Sequence, residues 1–200
     1  KIQEQISRLD NSYSFRTPER IRAAQLVTSK TPENLNQVFM LTTGSEATEA
    51  AMRLARLHTG KQGILSFFGG FHGKTYGAMS VAGSKGTKAG FGTGVPGTIF
   101  APYPYCYRCF YGKEYPDCGM FCLEKLDEIL AYESWDDLGA VIIEPYQGAA
   151  GFIFPPQGFL KGLEEWARER NLILIVDEVQ SSFGRTGKLF MIEWEDVRPH

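Results

Sequence analysis

The sequence predicts an α/β fold built on a mostly parallel sheet with helices on both faces. Short apolar runs of strand length alternate along the chain with stretches of helical periodicity. One run, 172–176, is apolar at five successive positions, as a strand buried on both faces requires. Glycines and acids cluster directly after the runs, where ligands bind in such sheets, beyond the carboxyl ends of the strands.

The elements follow in order. The first 37 residues are polar and helical in pattern, with two helical stretches separated near 11–17. A strand is expected over 38–43. A helix follows over 45–59, with Ala47, Ala50, Ala51, Leu54 and Ala55 on one face and Glu46, Glu49, Arg53 and Arg56 off it. Residues 64–68 make a strand. The glycine-rich stretch 69–97 holds only short local structure, and 98–101 is a short strand. A cysteine loop leads into a helix over 123–132. Strand 140–144, amphipathic helix 159–170 and strand 172–179 complete the pattern.

Composition narrows the function classes. With 200 residues, 43% hydrophobic and 22% charged, the chain can bury an ordinary globular core. A net charge of −2 and the lack of a basic run argue against a nucleic-acid partner. The longest apolar run is too short to span a bilayer. The chain begins at Lys1 rather than Met, so a natural start is expected upstream. All four cysteines fall between Cys106 and Cys122. Such clustering suits a reduced, cytoplasmic setting better than a disulfide framework.

The candidate site is read at the strand ends. Gly44 and Ser45 open a helix, where free amides and the positive dipole end suit a phosphate. A plain capping box between Thr43 and Glu46 accounts for the same residues. Phe71 and His72 stand among the glycines Gly69, Gly70 and Gly73. A planar ring stacked on Phe71 would explain the aromatic, and core packing with His72 capping a turn is the alternative. Glu144 and Asp177 each end a buried strand and need partners. A protonated pyridine nitrogen would serve Asp177, and Arg185 is the structural alternative.

Four stretches together resemble the class III (ω-) aminotransferases, including 4-aminobutyrate and ornithine aminotransferases: TTGSEATEAAMRLAR, FFGGFHGKTYGAMS, VIIEPYQGAAG and LILIVDEVQSSFGRTGKLF. The resemblance implies a fold-type I pyridoxal-phosphate large domain over 38–200, led by the helical 1–37, with a small domain and chain ends outside it. It implies transamination between an amino donor and a 2-oxo acid in a homodimer or higher homo-oligomer. In its terms Gly44 and Ser45 bind the phosphate, and Phe71 and Val179 cover the two ring faces. Asp177, the catalytic candidate, pairs with the ring nitrogen, and Gln180 reaches the ring hydroxyl. Glu144 supports the ring region, and His72 belongs to the cofactor-binding set. The Schiff-base lysine is expected a few residues beyond His200.

Departures are visible. Ala149 stands where the family often has an acid, some members pairing it with a substrate-gating arginine. Ser182 replaces a common Gly and His200 a common Asp. Two other classes compete. The stretch from Gly69 to Thr75 looks like the phosphate loop of a nucleotide hydrolase, but the motif is one residue short. Cys106, Cys109, Cys118 and Cys122 are spaced like a zinc or iron–sulfur site, against reduced thiols in a surface loop.

Overall fold

The computed structural model describes residues 1–9, 11 and 15–200, and these form two compact units, Lys1–Met40 and Leu41–His200. In the first unit lie helices α1 (Ile2–Ile6) and α2 (Pro18–Thr28). The hydroxyl of Thr17 accepts from the Arg20 amide at 3.3 Å, and Pro18 occupies the first helical position, which fixes where α2 starts. Part of the expected break near 11–17, residues 12–14, lies outside the described residues.

The strand expected over 38–43 does not form. Residues 38–41 have no regular structure, and no described strand pairs with them. Apolar character alone does not make a strand, because the backbone needs a neighbour for its amides and carbonyls. Phe39 is accordingly 71% exposed.

The second unit is organised by four parallel strands: β1 (Gly63–Phe67), β2 (Thr98–Ala101), β3 (Leu138–Ile143) and β4 (Ile173–Val176), in the order β2-β1-β3-β4. Strands β1 and β3 are central and buried at every position. Their period-2 alternation divides the core. Leu65, Phe67, Val141, Ile143 and Leu174 pack with Leu126 of α6 (Phe121–Glu133) and with Leu163 and Trp166 of α7 (Phe159–Glu169). Ile64, Ala140 and Ile142 pack with Met52 and Ala55 of α3 (Gly44–Thr59) on the other face. Each fully buried large aliphatic contributes roughly 1.5–3 kcal/mol. Helices therefore cover both faces of a parallel sheet, as the alternation predicts.

Three details differ from expectation. Helix α3 buries Thr48, Met52 and Ala55, while Ala47 is exposed and Leu54 is 58% exposed. Alanines bury too little area to fix a face, so Met52 and a hydrogen bond from the Thr48 hydroxyl to the His72 carbonyl, 2.8 Å, decide it. Strand β4 ends at Val176 rather than 179, because the chain turns away at Asp177. One-turn 3-10 helices at Cys106–Arg108 and Met191–Trp194 carry no sequence periodicity. The glycine-rich stretch holds α4 (Tyr76–Ser80) and α5 (Lys85–Lys88), both short as expected.

Candidate active site

The carboxyl ends of β1, β3 and β4 and the start of α3 bring the predicted residues together. Asp177 follows β4 directly, and its Oδ2 lies 2.8 Å from His72 Nδ1, across 105 positions of sequence. An ionised carboxylate only accepts, so Nδ1 carries the proton. The side chains are 1% and 13% exposed for His72 and Asp177, a sheltered pair. The other oxygen, Oδ1, accepts from the Val179 amide at 3.1 Å. The group facing Asp177 in the protein is thus His72, not Arg185. A carboxylate offers about four lone-pair directions, so the pair leaves Asp177 room for a further donor.

Glu144, directly after β3, is buried and ties two loops together. Its Oε1 accepts from the Phe71 amide at 2.8 Å and its Oε2 from the Gly148 amide at 3.2 Å. Burial pushes its carboxyl above the ordinary value, and the two amides work against that push. The carboxylate thus fixes where Phe71 leaves the loop. Sequence reasoning missed Gly148. A Cβ there would run into the Gln180 side chain, so only glycine lets Gln180 lie against that turn. Nothing in the sequence pairs positions 148 and 180. Tyr146 adds a second tie, its hydroxyl donating to the Gln180 carbonyl at 3.0 Å.

At the start of α3 one bond of the expected capping box forms. The Thr43 hydroxyl accepts from the Glu46 amide at 3.2 Å, as in a capping box. Glu46 reaches back to the amide and hydroxyl of Thr42 rather than to Thr43, and these bonds lower its carboxyl. Among the described residues no group accepts from the amides of Gly44 and Ser45, which remain available at the positive end of a 16-residue helix. The Ser45 hydroxyl accepts from the Lys74 amide at 3.0 Å and keeps its own hydrogen to donate. A Cβ at Gly44 would sit 3.5 Å from the Val179 methyl, so Val179 reaches the start of α3 while staying 72% exposed.

Four amides of the loop after β1 are turned to acceptors within the protein. Gly69 donates to Gly83, Gly70 to Phe67, Phe71 to Glu144 and Lys74 to Ser45. A nucleotide-hydrolase loop needs those donors turned to the ligand. The four cysteines are free thiols. Burial first, and then the neighbouring thiols of Cys106 and Cys118, pushes Cys122 up to about 11. Among the described residues no three His, Cys, Asp or Glu side chains stand ready as a metal site.

The profile of the family Aminotransferase class-III matches residues 2–200. The chain belongs to the class-III aminotransferases. Pyridoxal phosphate is the cofactor of this family, and the residue types present fit it: an acid for a ring nitrogen, a helix start for a phosphate, and an aromatic, Phe71, whose amide Glu144 holds. An acetylornithine aminotransferase of Methanopyrus kandleri is 39% identical over 99% of this chain and 46% of its own length. A leucine/methionine racemase of Thermococcus litoralis is 35% identical over 99% of the chain and 45% of its own. Among solved structures, an (S)-enantioselective omega-transaminase from Thermomicrobium roseum superposes with a TM-score of 0.92 at 31% identity, covering 98% of this chain and 46% of that one. The class-III chain described here thus spans about half the length of the curated relatives it matches.

Proposed function

We propose that the protein containing this chain transfers an amino group from a small donor, an ω-amino acid or amine of the 4-aminobutyrate type, to a 2-oxo acid with pyridoxal phosphate. The observation that carries this reading is the sheltered His72–Asp177 pair at the end of β4, with Glu144 holding Phe71 beside it. In this reading the Gly44 and Ser45 amides hold the phosphate. Phe71 and Val179 take the two ring faces, and Gln180 meets the ring hydroxyl. Asp177 meets the ring nitrogen, with its orientation set by His72. The bound cofactor withdraws electrons from the carbon that loses its proton. Presenting the Asp177 carboxyl group to the ring nitrogen is what the chain contributes to that withdrawal.

The lysine that carries the cofactor belongs, in this reading, a few residues past His200. Lysines within the chain are placed for other work. Lys161 Nζ donates to Glu164 at 2.8 Å, and Lys188 Nζ lies 5.4 Å from the centre of the Trp194 ring. Lys74 follows the loop that presents Phe71. Ala149 supports an ω-amino donor, since it offers no acid for a gating arginine. A homodimer in the cytoplasm is part of the same proposal. No helix among the described residues is long and apolar enough to cross a membrane.

Racemases among the relatives give a specific reason for a second reading, in which the proton returns to the opposite face of the same carbon and no oxo acid is consumed. One experiment separates the two. The full-length protein with pyridoxal phosphate is given a panel of amino donors, with and without pyruvate or 2-oxoglutarate. Transamination shows oxo-acid-dependent product, and strict use of α-amino acids would contradict the ω-donor reading. Inversion of chirality without an oxo acid would establish the racemase.

A further inference from the structure

All four cysteines of the chain, Cys106, Cys109, Cys118 and Cys122, line one enclosed space together with Tyr105 and Phe121. About 20 Å³ of it is open to the centre of a water-sized body. A single such body needs roughly 10–15 Å³. That volume suffices for one water or one ion. Water would be poorly held there, because thiols are weak donors and weak acceptors.

The convergence is built by tight turns together with the first turn of α6, which carries Cys122. Gly112 donates to the Cys109 carbonyl at 3.0 Å, Cys118 to the Glu114 carbonyl at 2.9 Å and Phe121 to the Cys118 carbonyl at 3.1 Å. The turn after Cys118 uses two left-handed residues in succession, Gly119 at φ 58° and Met120 at φ 62°. Left-handed backbone at a residue with a long side chain is costly and persists where the surroundings impose it. Between β2 and α6 the only regular element among the described residues is the three-residue turn Cys106–Arg108, and ring contacts of Phe110 with Phe68 and of Tyr111 with Phe121 hold the loop from outside.

We propose that the four sulfurs bind a single soft divalent cation, zinc by preference, in a tetrahedral site that fixes the loop. The sequence spacing, two residues between the first pair and three between the second, suits such a site. The sulfurs share the space without standing at mutual coordination distance. Binding pulls them inward by side-chain rotation, and the displaced thiol protons go to solvent. Four thiolates around a dication leave two negative charges, and Lys113, which lines the same space, faces them. The site lies in the loop between β2 and α6 and in the first turn of α6, so its role is structural.

The test uses the full-length protein, purified under reductant without chelator. Elemental analysis is expected to find about one zinc per chain. Cobalt reconstitution should give thiolate-to-metal absorption, and a mercurial reagent should release the ion in step with four thiols. C118S and C106S/C109S should each bring the metal to background while keeping cofactor absorbance. Should a variant fail to fold, as circular dichroism would show, mercurial release from the unaltered protein still decides. Four reactive thiols with no metal after reconstitution would overturn the proposal. So would metal retained in both variants, or iron accompanied by acid-labile sulfide.

Discussion

The His72–Asp177 contact concentrates the chemistry in two side chains. Asp177 is held by a ring N–H on one oxygen and a backbone amide on the other, so its orientation does not depend on a ligand. D177N keeps the shape and removes the charge. Turnover of the full-length enzyme is expected to fall about a thousandfold or more, read as kcat, with the fold intact by circular dichroism. Near-native turnover would refute the assignment. A second buried acid has a purely structural part. Burial works to raise Glu164, and the Lys161 ammonium, the Arg198 amide and the Arg168 guanidinium more than offset it, so its carboxyl lies below the ordinary 4.5. A depressed carboxyl contributes stability above about pH 4.5, lost as pH falls through its folded value. E164Q should therefore lower unfolding free energy at neutral pH by about 2 kcal/mol, the exposed cations being screened by water. Denaturant titrations should show that gap closing in acid. A gap independent of pH would mean the charge is not what matters.

Loops at the strand ends carry the site, and their glycines do different jobs. At Gly83 a Cβ would run into the Phe67 carbonyl at the end of β1, and backbone cannot yield cheaply. G83A is expected to cost about 3 kcal/mol of stability, measured by thermal or denaturant unfolding. At Gly148 the obstacle is the far end of the flexible Gln180 side chain. G148A should change stability by less than about 1 kcal/mol, because Gln180 can swing away. Its effect should appear as several-fold weaker pyridoxal phosphate binding, measured by fluorescence titration of the full-length protein. Unchanged cofactor affinity would separate Gln180 from the cofactor site. The start of α3 shows why an element can be legible while its use is not. Thr43 and Glu46 announce a cap in the sequence, yet only the bonds actually made show which amides the cap leaves over.

Across the whole sheet, two faces of core and one edge of function are separated by direction. Odd and even positions of β1 and β3 go to opposite helix layers, and the residues following β1, β3 and β4 meet at one rim. The cofactor-carrying lysine belongs to that same rim in the proposed reading. Borohydride reduction of the full-length protein with pyridoxal phosphate, followed by peptide mapping, should label a lysine beyond residue 200. Stoichiometric labelling of Lys74, Lys161 or Lys188 in active protein would show the catalytic group misplaced.

The alternation of apolar runs and helical periods, with 172–176 apolar at every position, by itself determined the parallel α/β layers, because burial pattern follows directly from side-chain direction. It also marked Asp177, Glu144 and Gly44, since acids and glycines at strand ends violate what a buried run would otherwise contain. Tertiary structure decided the partners. That Asp177 faces His72 rather than Arg185, that Glu144 holds the Phe71 amide, and that Gln180 requires Gly148 depend on loops 32 to 105 residues apart meeting in space, the lower figure being 180 less 148. It also decided that 38–41 is no strand and that α3 turns Thr48 inward. Local sequence sets which groups must be satisfied, and only the packed chain settles by which neighbour.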